Sequence, residues 1–198
     1  MDTILEGGFA APVLQSQTVF RAIMDALANP GTGQNLVAPQ TSSVHFTAEL
    51  VSTLLTLTDH ETPIWLDQRL QKPSVREFVG FHTGAPIVQE PGWATFAFAT
   101  SAAELPRLDQ FNLGTQEYPD RSTTIVLAVE ALTGGKQMVI RGPGIKDHAH
   151  ISPIGLPVDF VVQWAANREL FPRGIDLLLV AGGQVMGLPR STRIAEGR

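Results

Sequence analysis

Arginines set behind a proline or beside a hydroxyl recur in the second half of the chain, and that pairing suits the holding of phosphate. In Pro119-Asp120-Arg121-Ser122-Thr123-Thr124 a guanidinium and a hydroxyl stand together just ahead of a β-branched run. Phe171-Pro172-Arg173-Gly174-Ile175-Asp176 and Leu188-Pro189-Arg190-Ser191-Thr192-Arg193 each place an arginine directly after a proline, whose ring stiffens the stem. A guanidinium offers a planar fork of N–H donors that grips phosphate through paired hydrogen bonds. If these loops converge, Arg121, Ser122, Arg173, Arg190 and Thr192 form a shallow anion site. Open α/β sheets bind ligands outside the carboxyl ends of their strands, so the site is expected there. The competing reading makes each arginine a brace: Arg121 on Asp120 at the surface, the others on a carboxylate such as Asp159 or Asp176.

Other residue types offer less. The histidines are His45, His60, His82, His148 and His150. His148-Ala149-His150 sets two imidazoles close together, but no acid or further histidine stands near at a metal-ligand spacing, so an exposed polar loop is expected. Arg141-Gly142-Pro143-Gly144-Ile145 reads as a structural turn. It lacks the spacing of a nucleotide P-loop, although its backbone N–H groups leave a phosphate cradle as the alternative. There is no cysteine, which excludes disulfides, thiolate catalysis and cysteine-held metal clusters within this chain. No Ser-His-Asp order, no nucleophile elbow and no D-x-D pair is present. A stand-alone enzyme should show a base or nucleophile with an orienting partner, and none is visible.

The chain has 198 residues and a net charge of −5, which argues against a nucleic-acid surface, since phosphate backbones are bound by clustered cations. Its cations are 11 Arg and only 3 Lys, namely Lys72, Lys136 and Lys146. All of these lysines fall in expected loops or turns, whereas a pyridoxal phosphate Schiff base needs a buried lysine, so no cofactor is expected. Residues 1–7 carry acids and lack a basic and an apolar stretch, so no secretory signal is read there. No apolar run approaches a membrane span, and a cytoplasmic location is expected.

The elements that must position these loops alternate along the chain. Helical spacing of Val19, Phe20, Ile23, Met24 and Leu27 predicts a helix over 15–28, capped by Ser16 and ended by Asn29-Pro30-Gly31. A second helix is predicted over 47–58 and a short one over 74–81. Ser101-Ala102-Ala103-Glu104 has the pattern of a capping box. A last helix is predicted over 157–170, with Phe160, Val161, Trp164 and Ala165 inward. Strands are predicted at 63–66, 94–99 and 123–129, the last with 137–140 as neighbour. The runs 176–180 and 185–188 flank Gly182-Gly183 and predict a hairpin. Together these give a single three-layer α/β domain over 1–198 with a mixed sheet. Phe9, Phe111 and Phe171 stand beside Pro or Gly in loops and suggest a contact surface, with a homodimer when the chain is isolated.

A wider pattern carries a resemblance. Gly8-Phe9, Pro12-Val13, Ser16-Gln17, Phe20-Arg21, Met24 and Asn29-Pro30-Gly31 open it, and Thr62 to Asp67 with His82-Thr83-Gly84-Ala85-Pro86 continue it. Gly114-Thr115, Pro119 to Ser122, Gly142 to Ile145, Asn167-Arg168, Phe171 to Gly174 and Leu188-Pro189-Arg190 complete it. In order and spacing this chain resembles the PhnH family of the bacterial carbon–phosphorus lyase system over residues 8–194. The resemblance implies a subunit working with PhnG, PhnI and PhnJ on alkylphosphonates, in a complex that replaces the adenine of ATP to give a ribose 1-phosphonate 5-triphosphate. It also implies a fold similar to that of pyridoxal-phosphate-dependent transferases, without the cofactor. The radical cleavage of the carbon–phosphorus bond is then the work of a partner, in keeping with the missing cysteines. The runner-up is a stand-alone nucleotide- or phosphonate-binding enzyme with an arginine-lined pocket, and a pyridoxal enzyme ranks last.

Overall fold

The computed structural model describes residues 7–40 and 46–197, so His45 and the opening residues 1–6 lie outside the described residues. The helices are α1 (Pro12–Ala28), α2 (Ala48–Leu57), α3 (Pro73–His82) and α4 (Phe160–Glu169). The strands are β1 (Gly33–Asn35), β2 (Ile64–Leu66), β3 (Ile87–Val88), β4 (Phe96–Ala99), β5 (Thr124–Ala128), β6 (Met138–Arg141), β7 (Ala149–Ile151), β8 (Asp176–Ala181), β9 (Gln184–Leu188) and β10 (Arg193–Glu196).

A 7-stranded sheet has the order β1-β9-β8-β5-β4-β2-β3. From β8 through β5, β4 and β2 to β3 the pairs are parallel, while β9 lies antiparallel between β8 and β1. The mixed sheet expected from the sequence is therefore present. Side chains on a strand alternate between faces, and here both faces are covered. Leu178, Val180, Val126 and Phe98 pack with Val19 and Ile23 of α1, Leu50 and Leu54 of α2, and Phe78 of α3. Leu177, Leu179, Ile125 and Ala97 face the other way, onto Phe160 and Trp164 of α4. The same second core takes in Met138, Ile140, Ile151 and Ile194 from a small antiparallel sheet of order β10-β6-β7.

The hairpin at Gly182-Gly183 is as read from the sequence. Both residues have positive φ, 59° and 74°, the twist that a two-residue hairpin turn needs and that glycine adopts without strain. Thr47 caps α2, its side chain accepting from the Leu50 N–H at 3.3 Å.

Other details differ from the expectation. α1 begins at Pro12, since proline suits a first turn whose N–H groups are unsatisfied anyway, so Ser16 lies inside the helix and caps nothing. Phe20 and Met24 are about half exposed, so the inward stripe of α1 is narrower than its apolar spacing suggested. Ser101 makes no capping bond, and Glu104 instead pairs with Arg69 at 3.1 Å. Residues 138–141 are not neighbours of β5 but the centre strand of the small sheet. Ala165 is exposed on α4. Phe9 and Phe111 are buried in the two cores, which leaves Phe171 as the exposed member of the expected contact set.

Candidate functional site at the amino edge of the sheet

The three arginine loops do converge, but at the opposite edge from the one expected. Residues 119–122 lead into β5 and residues 171–175 into β8, so both lie at the amino ends of parallel strands. β9 runs back antiparallel, its exit residue Leu188 opposite Leu177 near the start of β8, and so delivers Arg190 to the same edge. The rule that places ligands at the carboxyl ends of parallel strands therefore does not locate this cluster.

Arg190 is the knot of the three loops. Its Nε donates to both oxygens of Asp176 at 3.1 and 3.2 Å, and its Nη2 also bonds Asp176 Oδ2. The Arg190 backbone N–H adds a bond to Asp176 Oδ1 at 2.7 Å. The remaining nitrogen, Nη1, donates to the carbonyls of Pro119 and Pro172. Only 15% of the Arg190 side chain and 18% of the Asp176 side chain is exposed. One residue thus ties the entry of β5, the entry of β8 and the exit of β9. The brace reading holds for Arg190, whose charge is neutralised and whose donors are engaged.

Arg121 and Arg173 hold no carboxylate. Arg121 is exposed and lies over the Tyr118 ring at 4.1 Å, so its expected pairing with Asp120 is not formed. Arg173 is half buried, and its Nε is enclosed with no hydrogen-bond partner. The hydroxyls of Ser122 and Thr192 are buried and unpartnered in the same loops. A buried polar group without a partner costs about 1–3 kcal/mol, and three such atoms lie in these converging loops. Thr192 is fixed through its backbone instead: the Trp164 indole N–H donates to its carbonyl at 2.8 Å, which anchors the loop to α4.

A cavity of about 270 Å³ flanks this edge between α4 and residues 107–113, lined by Arg107, Gln163, Asn167 and Leu170 among others. Its amides are engaged with backbone. Gln163 accepts from the Leu108 N–H at 2.9 Å, and Asn167 bonds both the N–H and the carbonyl of Ile175 at 2.8 and 3.0 Å. A second, of about 450 Å³, is bounded by Gly8, Phe9, Gln40, Leu55 and His82.

At the carboxyl ends of β2 and β4 stands a residue not picked out as a site from the sequence, the fully buried Asp67. It accepts from the Leu70 N–H at 3.0 Å, the Thr100 N–H at 2.5 Å and the Thr100 hydroxyl at 2.6 Å. A carboxylate that follows a strand run and precedes a turn was the available signal. Its oxygens cap a turn and clamp two strands.

The remaining candidates are placed as follows. Gly142 packs against Ser191 and Thr192, and a Cβ on Gly144 would stand 2.1 Å from the Ala28 carbonyl, so that turn is a close-packed structural one. His148 and His150 stand edge to face with ring centroids 5.3 Å apart. Among the described residues no group of three or more His, Asp or Glu could hold a metal ion. Lys72, Lys136 and Lys146 are all exposed, and Lys136 pairs with Glu196 at 2.8 Å, whereas a Schiff base is formed on a shielded lysine. Among the described residues no helix is long and apolar enough to cross a membrane.

Comparison with known proteins adds a direct relationship. The family described as "Bacterial phosphonate metabolism protein (PhnH)" matches residues 7–195. The chain is 48% identical over 191 residues, 96% of each partner, to the alpha-D-ribose 1-methylphosphonate 5-triphosphate synthase subunit PhnH of Rhizobium meliloti (strain 1021). Over 82 residues, 41% of this chain and 42% of the relative, it is 34% identical to HtxG of Stutzerimonas stutzeri, which is named as a C-P lyase subunit protein.

Proposed function

The chain belongs to the PhnH family of bacterial phosphonate metabolism proteins, and from that premise we propose that it serves as a subunit of a ribose 1-phosphonate 5-triphosphate synthase within the carbon–phosphorus lyase system. The observation that carries this reading is 48% identity across 96% of both chains. PhnG, PhnI and PhnJ are the proposed partners and the cytoplasm the proposed location. The match over 7–195 supports one PhnH domain along the chain, and the seven-stranded mixed sheet supports a likeness to the pyridoxal-phosphate transferase fold.

A subunit role fits what the surface offers. Large apolar side chains stand exposed on several elements: Val13 and Leu14 on α1, Trp93, Val158, Val162 and Phe171. Such side chains, gathered in patches, commonly mark surfaces that a partner covers. A homodimer of the isolated chain belongs to the same reading. Arg121 and Arg173 are the proposed anion contacts, because neither holds a carboxylate, and Arg190 is the residue that positions them. Ser122 and Thr192 complete the proposed set, with their hydroxyls enclosed beneath the same loops. The same arginines favour the second reading, nucleotide or phosphonate binding by this chain alone.

The test is co-expression with PhnG, PhnI and PhnJ, followed by an assay of ATP and methylphosphonate conversion with and without this chain. Co-purification and loss of conversion on its omission are expected. Purification of an active complex that neither binds nor needs the chain overturns the reading.

A further inference from the structure

Among the described residues no element covers the outer face of the small sheet. Met138, Ile140, Ile151 and Ile194 turn inward to the second core. Alternation therefore turns Val139, Arg141, Arg193, Ala195 and His150 outward. Register aligns the charged members. Arg193 is directly opposite Arg141, and Ile140 opposite Ala149, which sets His148 across from Arg141 on the other side. His150 lies one step along, opposite Val139, with its ring 5.3 Å from that of His148.

Like charges directly opposed across strands destabilise a sheet unless something neutralises them. Among the described residues nothing does. Arg69, Arg107, Lys136 and Arg190 each hold a carboxylate, but Arg141 and Arg193 hold none. Of the acids beside these strands in sequence, Glu196 is paired with Lys136, and Asp147, in the turn before β7, enters none of the ion pairs among the described residues. The chain as a whole carries −5, so this cationic row stands out against a negative background and would focus an approaching anion.

We infer that this face binds a polyphosphate chain through Arg193, Arg141 and His148. Adjacent strands stand about 4.8 Å apart, so the row offers donors at short, regular intervals from three neighbouring strands, with His150 beside them. Such a row matches successive phosphates better than a single one. The small side chain of Ala195 and the half-buried Val139 leave the approach open. The site rests on the isolated chain's geometry and is independent of the subunit reading above.

Titration of the purified chain with sodium tripolyphosphate at low ionic strength tests it by calorimetry, with orthophosphate and poly-glutamate as comparison ligands. Saturable tripolyphosphate binding is expected, at least tenfold tighter than orthophosphate. The double variant R141Q/R193Q should weaken it tenfold or more, and Arg76→Gln on the opposite layer should leave it within about twofold. The thermal midpoint of R141Q/R193Q should not fall, because a repulsive pair has been removed. Absence of saturable binding, equal loss in Arg76→Gln, or a preference for poly-glutamate overturns the inference, the last result pointing to an acidic protein partner. A lowered midpoint with unchanged affinity would likewise sink it.

Discussion

Asp176 and Arg190 are joined by side-chain bonds and by a backbone N–H, and through Arg190 the carbonyls of Pro119 and Pro172 are drawn to the same point. Removing one partner leaves the other charge buried and unmatched, at a cost of about 3–5 kcal/mol. Arg190→Ala should therefore lower stability by about that amount, roughly 6–20 °C in midpoint for a chain of this size. Urea denaturation measures it, and a double-mutant cycle with Asp176→Ala should show strong coupling. An unchanged midpoint would mean that the pair is not a brace.

Arg173 should behave in the opposite way. Its Nε has no partner to lose, so Arg173→Ala should leave the midpoint nearly unchanged. If it contacts an anion, nucleotide or phosphonate binding should weaken about tenfold, the scale of one charge-assisted contact. Measuring both on one variant decides the matter, since a lowered midpoint with unaltered affinity would make Arg173 structural.

Stability at acid pH should depend on Glu49. Burial pushes its carboxyl up, but the N–H groups of Gly183 and of Glu49 itself and the Thr47 hydroxyl together outweigh that and hold it below its ordinary value of 4.5. A group lowered in the folded state stabilises above its unfolded value, and that contribution disappears as pH falls through the folded one. Wild type should lose stability below pH 4.5, and Glu49→Gln should flatten that limb. Denaturation midpoints at neutral pH and at pH about 3 compare the two. Identical acid limbs would exclude the carboxylate.

Gly144 has φ 80° and lies against the end of α1, with its absent Cβ pointing at the Ala28 carbonyl. Gly144→Ala combines left-handed strain with a backbone clash and should destabilise by at least about 2 kcal/mol. Gly182→Ala, also at positive φ but facing open space, should cost about 1 kcal/mol. Thermal melts of the two variants separate clash from strain.

Much of this architecture was legible in the residues. The hairpin follows from Gly182-Gly183, α2 from the apolar spacing in 47–58, and the buried strands β5 and β8 from unbroken apolar runs. What was not legible depends on which strands lie side by side. Periodicity in 138–141 announces a strand but cannot say that it joins a second sheet. The edge of the arginine loops was legible, since 119–122 and 171–175 precede their strands, and the carboxyl-end rule was applied against that order. Arg190 and Asp176 are 14 positions apart, and only the antiparallel return of β9 brings them together. Phe9 and Phe111 sit in turn-rich sequence yet fill the cores, because proximity to Gly or Pro reports on backbone and not on what covers a side chain.

β1 pairs with β9 alone, at the rim of the main sheet, and Gln184 reaches Asn35 across 149 positions of chain. During synthesis, then, the first strand emerges long before β9, its partner among the described residues. Until β9 is made, the backbone of β1 and the part of α1 that packs on β9 lack their partner. Closing so long a loop late makes the nascent chain slow to fold and dependent on the arrival of β9. A chain stopped before β9 should be a chaperone client rather than a smaller folded protein.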